Sequence, residues 1–317
     1  MSTVGLDYPG CPSTLHLERP MSPTRVPDDV ARELTLGPES VSWQRSSDVR
    51  GFLGAGYALL LQVAYPTVGS GVRDHSNFLN EPWQRLIRTL DYIMLTVYSG
   101  EDAIEVTRKL REMHKSIKGV NPDGSRYHAL EPEAYAWVQA TLVHTIITVH
   151  QRFGRAMSAE EIEQLYAEWL GLGRLLGIRD GDLPADWSGF QAYFDTMIDT
   201  RLEHTETVDT VLRSLAKPAL PPGLPGWTEP LWRTASAPIS YVIMLSTVGL
   251  LPPALRERFG LRWTPGRERQ LRAFAALSRA ITPLLPKSLR IQGPMHLRVR
   301  HKAIGFDEFA PERYTRT

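Results

Sequence analysis

The chain has 317 residues, of which 42% are hydrophobic, enough for a large buried core. Its 36 Lys and Arg residues nearly balance 35 Asp and Glu residues, so we expect no nucleic-acid-binding surface spread over the whole protein. Cys11 is the single cysteine, which excludes an internal disulfide and a thiolate metal site. These features fit a protein of a reducing cytoplasm without a nucleic-acid partner.

Residues 1–27 are rich in Pro, Gly, Ser and Thr and show no hydrophobic periodicity. We therefore predict a flexible N-terminal arm. These residues also lack the basic and apolar regions of a signal peptide, so we do not expect one here. The most apolar runs, 57–64 and 241–251, are shorter than the ~20 residues that a membrane-spanning helix needs. We therefore expect no transmembrane segment, while peripheral contact with a membrane stays open.

Most of the chain from residue 28 onward follows the period of an amphipathic or buried helix, and no useful stretch alternates with the period of a strand. The pattern predicts an all-α protein with a single large helical bundle domain over 28–281 and an irregular C-terminal tail over 282–317. Predicted helices after residue 50 end at Pro66 and then cover about 68–73, 82–98, 101–118, 133–152, 158–176, 187–202, 203–215, 227–250 with a break at Pro238, 253–259 and 267–281.

Two consecutive helices in the middle of this series, joined by a break at Ser99-Gly100, carry the most informative polar residues. The first helix clusters Arg85, Arg88 and Thr89 on a side away from its apolar stripe. A structural surface more often mixes both signs of charge. This side is therefore a candidate for contact with a ligand.

The second of these helices is predicted to run to Lys118, with Gly119 as its C-cap. His114 lies within its apolar stripe, one turn after Leu110, and Arg111 and Lys118 flank the same face. An imidazole on an apolar face with cations at the rim suits haem. The iron of haem takes an imidazole nitrogen, its ring is apolar, and its propionates pair with Arg or Lys.

The motif Arg85-x-x-Arg88-Thr89, followed by Arg111-x-x-His114-x-x-x-Lys118, resembles the paired motifs of latex-clearing proteins. These are bacterial rubber oxygenases with an all-helical fold and haem b, related to the group named for the fungal oxygenase MpaB. The resemblance covers about residues 45–200. Further phrases that carry it are Leu60-Leu61-Gln62-Val63-Ala64, Gly71-Val72-Arg73-Asp74-His75-Ser76, Trp137-Val138-Gln139-Ala140-Thr141-Leu142 and Leu175-Leu176-Gly177-Ile178.

The resemblance implies that His114 is the proximal ligand of the haem iron. It places Arg85, Arg88 and Thr89 near the haem as catalytic residues, with Arg88 where the family has a lysine. Arg111 and Lys118 would hold the ligand helix or the propionates.

Three further residues are candidates for cofactor binding. His75 is implied as a group at the haem edge; the alternative is a histidine at a helix C-terminus that bonds to backbone. Gln139 stands where many MpaB-type members have histidine, as does Tyr65. His144 is the second candidate for the iron ligand, because it also lies on an apolar helical face.

The resemblance thus implies a haem b-dependent oxygenase with its haem pocket between core helices. Its substrates would be dioxygen, bound at the iron held by His114, and a hydrophobic small molecule such as an isoprenoid or lipid; an electron donor could take part. A dehydrogenase or peroxidase on the same haem, and a non-catalytic haem or lipid carrier, are alternatives. So is an all-α protein without cofactor, in which His114 is a core histidine bonded to a backbone carbonyl or an acid.

Overall fold

The computed structural model describes residues 26–75, 82–221 and 223–291, apart from the side chains of residues 82, 84, 85 and 288. The architecture is all-α, as predicted, with one two-stranded sheet between α6 and α7. The α-helices are α1 Asp28–Glu33, α2 Val41–Ser46, α3 Ala55–Val63, α4 Pro66–His75, α5 Pro82–Tyr98, α6 Ala103–Lys115, α7 Pro132–Phe153, α8 Ala159–Leu176, α9 Trp187–Thr200, α10 Glu206–Ala216, α11 Glu229–Leu250, α12 Pro253–Arg258, α13 Pro265–Ile281 and α14 Lys287–Arg290.

Helix α7 lies at the centre of the bundle. Its sequence is apolar almost all round, and no side chain is exposed between residues 134 and 150. The fully buried Trp137 donates its indole N–H to the carbonyl of Leu61 in α3 at 2.9 Å. Gln62 of α3 donates to the hydroxyl of Thr141 in α7, also at 2.9 Å. These hydrogen bonds fix α3 against α7, because buried polar groups need partners.

Helix α8 begins and ends as its sequence predicts. Ser158 accepts a hydrogen bond from the amide of Glu161, and the Glu161 carboxylate accepts one from the amide of Ser158, which completes a capping box. Gly177 ends the helix with a φ of 86°, a left-handed conformation that glycine adopts without steric cost. The amide of Ile178 then bonds back to the carbonyl of Gly173.

The prediction that the second key helix runs to Lys118 is wrong. Helix α6 ends at Lys115, and the chain forms two short antiparallel strands, β1 (Lys118–Val120) and β2 (Arg126–His128). Lys118 pairs with His128 in this hairpin. The segment 121–124, whose sequence Asn-Pro-Asp-Gly is typical of a turn, connects the two strands.

Gly119 is needed in β1 for packing and not for capping. A Cβ on this residue would lie 2.7 Å from the hydroxyl oxygen of Tyr127, so only glycine lets the tyrosine ring cross the strand. Tyr127 is buried, and its hydroxyl donates to Asp74 at the end of α4 at 2.8 Å. This contact with a distant helix gives the hairpin a stabilisation that the local sequence does not indicate.

Helix α11 continues through Pro238, where the sequence predicted a break. Proline removes one backbone hydrogen bond to the carbonyl four residues earlier. Pro238 is exposed, so water can solvate the carbonyl of Thr234 that loses its partner. The helix therefore tolerates the proline on its outer face.

The first ten residues of the predicted irregular tail are structured. A 3-10 turn, Thr282–Leu284, and α14 follow α13, and Ile291 forms an isolated bridge with Asp48. The rest of this tail and residues 1–25 lie outside the described residues. Among the described helices, none is long and apolar enough to cross a membrane alone; Val49–Val63 with Pro66–His75 would meet that test as a pair, bent by 104°.

Candidate functional site

The first element of the site is the hairpin of α5 and α6. Gly100, with a φ of 56°, lies in the turn after which α6 returns along α5. Tyr92 of α5 donates its hydroxyl to the sulfur of Met113 in α6 at 3.2 Å. Thr89 precedes Tyr92 by about one helical turn, and His114 follows Met113. The two motifs of the sequence analysis therefore lie on adjoining parts of two packed helices.

His114 is partly buried on α6, and its ring orientation is set by one hydrogen bond. Because the carbonyl of Leu110 can only accept, Nδ1 of His114 must carry the proton in their 2.7 Å contact. Burial lowers the pKa of His114, so the ring is neutral at pH 7. Within the described residues Nε2 makes no hydrogen bond. The Nδ1 bond occurs in structural histidines and in metal ligands alike, whereas an unbonded Nε2 lone pair is what a metal ligand needs.

Tyr135 of α7 packs its ring edge against the ring of His114, with centroids 5.6 Å apart. Its hydroxyl is buried and has no hydrogen-bond partner among the described residues. Burial raises the pKa of Tyr135 to about 12, opposed by the positive charge of Arg111. An unpaired buried hydroxyl next to a histidine is a place where a ligand can supply the missing acceptor. Nothing in the sequence singles out Tyr135, because it is one of many large side chains along the apolar helix α7.

Arg111 joins α6 to the end of α8. Its guanidinium donates to the carbonyl of Leu176 at 3.1 Å, and Gly177 leaves the space that this guanidinium fills. Of the two functions that the resemblance implied, the structure places Arg111 where it can hold the ligand helix. Contact with a propionate stays a prediction.

The predicted catalytic residues lie on α5. Arg88 and Thr89 are exposed, and Arg85 belongs to the helix, but its side chain lies outside the described residues. Two large apolar side chains are also exposed on this hairpin, Leu86 at 40% and Met113 at 43%. Met113 precedes His114 directly, so the end of α6 that carries the histidine has apolar surface open to solvent.

The structure places both Lys118 and His75 outside α6. Lys118 is exposed on β1, so its predicted position on the helix beside His114 is wrong, and its contact with haem stays a prediction. His75, the last residue of α4, is exposed, and its Nε2 donates to the carbonyl of Lys118 at 3.0 Å. This geometry is that of the structural alternative, a helix C-terminal histidine bonded to backbone.

Gln139 is buried between α7 and α8. Its amide nitrogen donates to the carbonyl of Trp169, and its amide oxygen has no partner among the described residues. A Cβ on Gly173 would collide with this amide, so glycine allows α8 to approach the glutamine. Gln139 thus joins two core helices through one half of its amide.

His144 is not brought next to His114. It follows Tyr135 by nine residues on α7, which is ~13 Å along the helix axis. Its ring stacks on Phe194 with centroids 3.9 Å apart, and Nδ1 contacts the hydroxyl of Tyr57 at 3.0 Å. Burial lowers the pKa of His144 to about 4. The hydroxyl of Thr148, one turn further along α7, also lies 3.1 Å from Nδ1, so both polar contacts of the His144 ring are made by this nitrogen.

Among the described residues, no group of three or more His, Cys, Asp or Glu side chains is arranged to hold a metal ion. A His114-type site would need only one protein nitrogen, since the porphyrin supplies the other ligands of a haem iron. The candidate site is therefore the region of α5, α6 and α7 around His114 and Tyr135.

Residues 43–280 match the family model described as ER-bound oxygenase mpaB/B′/rubber oxygenase, catalytic domain. The chain belongs to this family. The match runs from α2 into α13, further than the resemblance over 45–200 that the motifs indicated. The mpaB/rubber-oxygenase domain thus covers both helices of the α5–α6 hairpin and the whole of α7.

Two curated mycobacterial proteins are similar to this chain, Uncharacterized protein Rv2237 of Mycobacterium tuberculosis and Uncharacterized protein Mb2261 of Mycobacterium bovis. Each is 24% identical over 233 residues, which cover 72% of this chain and 87% of the relative. No solved structure matches the chain significantly. The assignment to an oxygenase catalytic domain therefore depends on the family model.

Proposed function

We propose that this protein is a haem b-dependent oxygenase that acts on a hydrophobic small molecule of the isoprenoid or lipid type. The observation that carries the proposal is the state of His114 within a domain of the mpaB/rubber-oxygenase family. The ring is neutral, its Nδ1 proton is held by the Leu110 carbonyl, and its Nε2 is unbonded in the described chain. This is the tautomer that a proximal ligand requires.

The residues around His114 fit a haem group. His114 would hold the iron, and haem would supply an iron centre that binds and activates dioxygen. Tyr135 has a buried hydroxyl with no acceptor, and Arg111 retains N–H groups beyond the one that bonds Leu176. Both can donate hydrogen bonds to a propionate carboxylate. Lys118 would be a third cation for these carboxylates only if its exposed side chain reaches back from β1.

The exposed polar residues of α5 would act on the substrate side. Arg88 stays protonated, so it cannot coordinate iron as a lysine can, and we assign it a fixed positive charge that donates hydrogen bonds where negative charge develops. Thr89 can hold a proton or a water at its hydroxyl oxygen. Arg85, one turn before Thr89, would extend this polar row.

The exposed side chains Leu86 and Met113 support an apolar substrate. Leu86 precedes Arg88 by two residues on α5, and Met113 precedes His114 on α6. Exposure of such apolar side chains to water is unfavourable, and binding of an apolar molecule would remove them from water. The flexible thioether of Met113 suits an elongated hydrocarbon of variable shape. The pair would form the entrance through which such a substrate reaches the polar row.

Absorption spectroscopy tests the cofactor. The purified protein, supplied with haemin, should show a Soret band, and His114→Gly should lower haemin affinity by about tenfold or more, with partial recovery on adding imidazole. His144→Gln is the matched control, and its folding is checked by circular dichroism. A folded wild-type protein without a Soret band overturns the proposal. Loss of the band in His144→Gln but not in His114→Gly overturns the ligand assignment.

Oxygen consumption tests the reaction. With haem bound, a reductant and an unsaturated isoprenoid or lipid, the wild type should consume dioxygen and oxidise the substrate. Arg88→Ala and Thr89→Ala should each lower kcat by about tenfold or more while the Soret band is unchanged. Haem binding without any turnover over a panel of such substrates would instead support the alternative of a non-catalytic haem or lipid carrier.

A further inference from the structure

Exposed apolar side chains concentrate in one stretch of the chain, from the segment before α11 to α14. Among the described residues, nine of the fourteen large apolar side chains that are exposed lie between 224 and 289. Trp227 is 80% exposed, Leu231 70% and Leu284 83%. Such values are rare for large apolar side chains on a protein surface that contacts only water. The others in this stretch are Leu224, Ile239, Tyr241, Leu277, Ile281 and Leu289.

These side chains lie on α11, on α13 and on the short segments that flank them, and the two helices pack on each other. Tyr241 of α11 donates its hydroxyl to Gln270 of α13 at 2.7 Å, and Leu271 of α13 fills the space above Gly249 of α11. On α13 the inner face carries Leu271 and Ala275 in the core, and the outer face carries the apolar residues. We call the outer surface the α11–α13 face; its large members are Trp227, Leu231, Ile239, Leu277, Ile281 and Leu284.

The outer face of each helix repeats with a helical period. On α13 and the 3-10 turn that follows it, the exposed positions Ala273, Leu277, Ile281 and Leu284 follow one another at intervals of three or four residues. On α11 the exposed positions Leu231, Ala235 and Ile239 do the same. Each of the two helices therefore has two apolar sides. One side packs in the core, and the other faces solvent.

The same stretch is strongly basic. Residues 227–291 contain ten Arg and Lys against three Glu, although the whole chain is almost neutral. Glu229 pairs with Arg233 at 2.8 Å, and Glu268 pairs with Arg152 at 2.6 Å and Arg272 at 2.9 Å. Two of the three carboxylates are thus neutralised.

Several cations of this stretch remain free of carboxylates. Arg269 and Lys287 are exposed and have no acidic partner among the described residues, and Arg279 bonds only the carbonyl of Arg152. They lie on α13 and α14, beside the exposed leucines and isoleucine. The face is therefore apolar with a positive rim.

We propose that the α11–α13 face docks on the surface of an anionic lipid bilayer. Helices that lie in the headgroup region present Trp and Leu to the acyl chains and Lys and Arg to anionic headgroups, and this face carries both. A second copy of this chain is a poorer occupant, because a symmetric interface would bring the positive rim against itself. The proposal does not depend on haem, and it would bring the oxygenase domain to the phase in which hydrophobic molecules dissolve.

Vesicle cosedimentation of the full chain tests the proposal. Vesicles with roughly one-third anionic phospholipid should bind the protein about tenfold more strongly than vesicles of zwitterionic lipid alone, and raising the salt from about 0.1 M to about 0.5 M should remove most of this preference. Leu231→Asp with Leu284→Asp should lower binding to the anionic vesicles by about tenfold or more. Val30→Asp with Val120→Asp, which adds the same charge at exposed apolar positions elsewhere, should leave it unchanged.

A second pair of variants tests the rim. Arg269→Gln with Lys287→Gln should weaken binding to anionic vesicles by about tenfold, since each cation near the surface contributes separately, and should not affect zwitterionic vesicles. Lys109→Gln with Arg213→Gln is the matched control. The proposal is overturned if wild type fails to bind, or if the face variants bind like their controls. Light scattering that finds a wild-type dimer and a Leu231→Asp, Leu284→Asp monomer would assign the face to a second copy instead.

Discussion

Arg111 is the side chain that determines how the histidine-bearing helix sits on the bundle. Its guanidinium lies between α6 and the left-handed turn after α8, so close to Gly177 that a Cβ on this glycine would overlap it. Gly177 therefore satisfies two requirements, a φ of 86° and room for a cation. Replacement would add conformational strain and would also displace Arg111 from the Leu176 carbonyl.

Gly177→Ala should therefore destabilise the protein more than Gly181→Ala. Both glycines have positive φ, so alanine costs about 1–2 kcal/mol at either position, but nothing lies near a Cβ on Gly181. The excess at Gly177 should disappear when Arg111 is also changed to alanine. Urea unfolding of Gly177→Ala, Gly181→Ala, Arg111→Ala and the double variant Gly177→Ala, Arg111→Ala measures these differences. Equal losses of unfolding free energy in Gly177→Ala and Gly181→Ala would show that the Arg111 side chain moves away from the added Cβ without cost.

At the scale of elements, the β1–β2 hairpin connects the end of α4 to the end of α6. Tyr127 bonds Asp74, and the carbonyl of Lys118 accepts from His75. The guanidinium of Arg73 and the Tyr127 hydroxyl hold the pKa of Asp74 below its usual value, so the acceptor stays ionised. Both contacts join residues far apart in the chain. The hairpin is thus stabilised mainly by α4, since an isolated two-stranded ribbon is marginal in water.

Gly119→Ala tests this dependence on Tyr127. The added Cβ would push the tyrosine ring away from β1, so we expect a loss of about 1–3 kcal/mol in the free energy of unfolding and faster hydrogen exchange across residues 118–128. Gly51→Ala is the control, because nothing lies within 4 Å of its Cβ position. Unchanged protection of the hairpin amides in Gly119→Ala would refute the packing argument.

For the whole molecule, three buried histidines make the fold sensitive to acid. Burial holds the pKa of His114, His144 and His150 below the ordinary value, to about 4 for His144. In the unfolded chain the histidine pKa values are ~6.5. Below that pH the unfolded chain therefore binds more protons than the folded chain. The free energy of unfolding therefore falls as the pH drops below this value, and for His144 the fall is complete only below its folded pKa.

Urea unfolding of haem-free protein between pH 7 and pH 5 should show this loss of stability. His144→Gln should flatten the slope, since it removes the group whose pKa differs most between the two states. His204→Gln, which makes the same change at an exposed histidine, is the control for the substitution itself. Stability that rises toward pH 5 would contradict the assignment of these histidines as neutral in the fold.

The amino-acid sequence alone determined the helical class, the capping box at Ser158 and the left-handed end of α8. Each depends on side chains within one or two helical turns, and such local preferences act before any tertiary contact forms. The motif order likewise indicated the family. Local preferences also led to two errors. The predicted end of α6 lies three residues after the observed end, and α11 has no break at Pro238, because this proline is exposed and the helix tolerates it there.

Only the tertiary structure decided which groups meet at the candidate site. Tyr135 reaches His114, Arg111 binds the end of α8, and Lys118 leaves the helix because Tyr127 and Asp74 hold β1 elsewhere. These contacts join residues from different helices, so their free energy depends on the packing of the whole bundle and leaves no periodic pattern in the sequence. The sequence named His114; the fold decided which of its nitrogens is available.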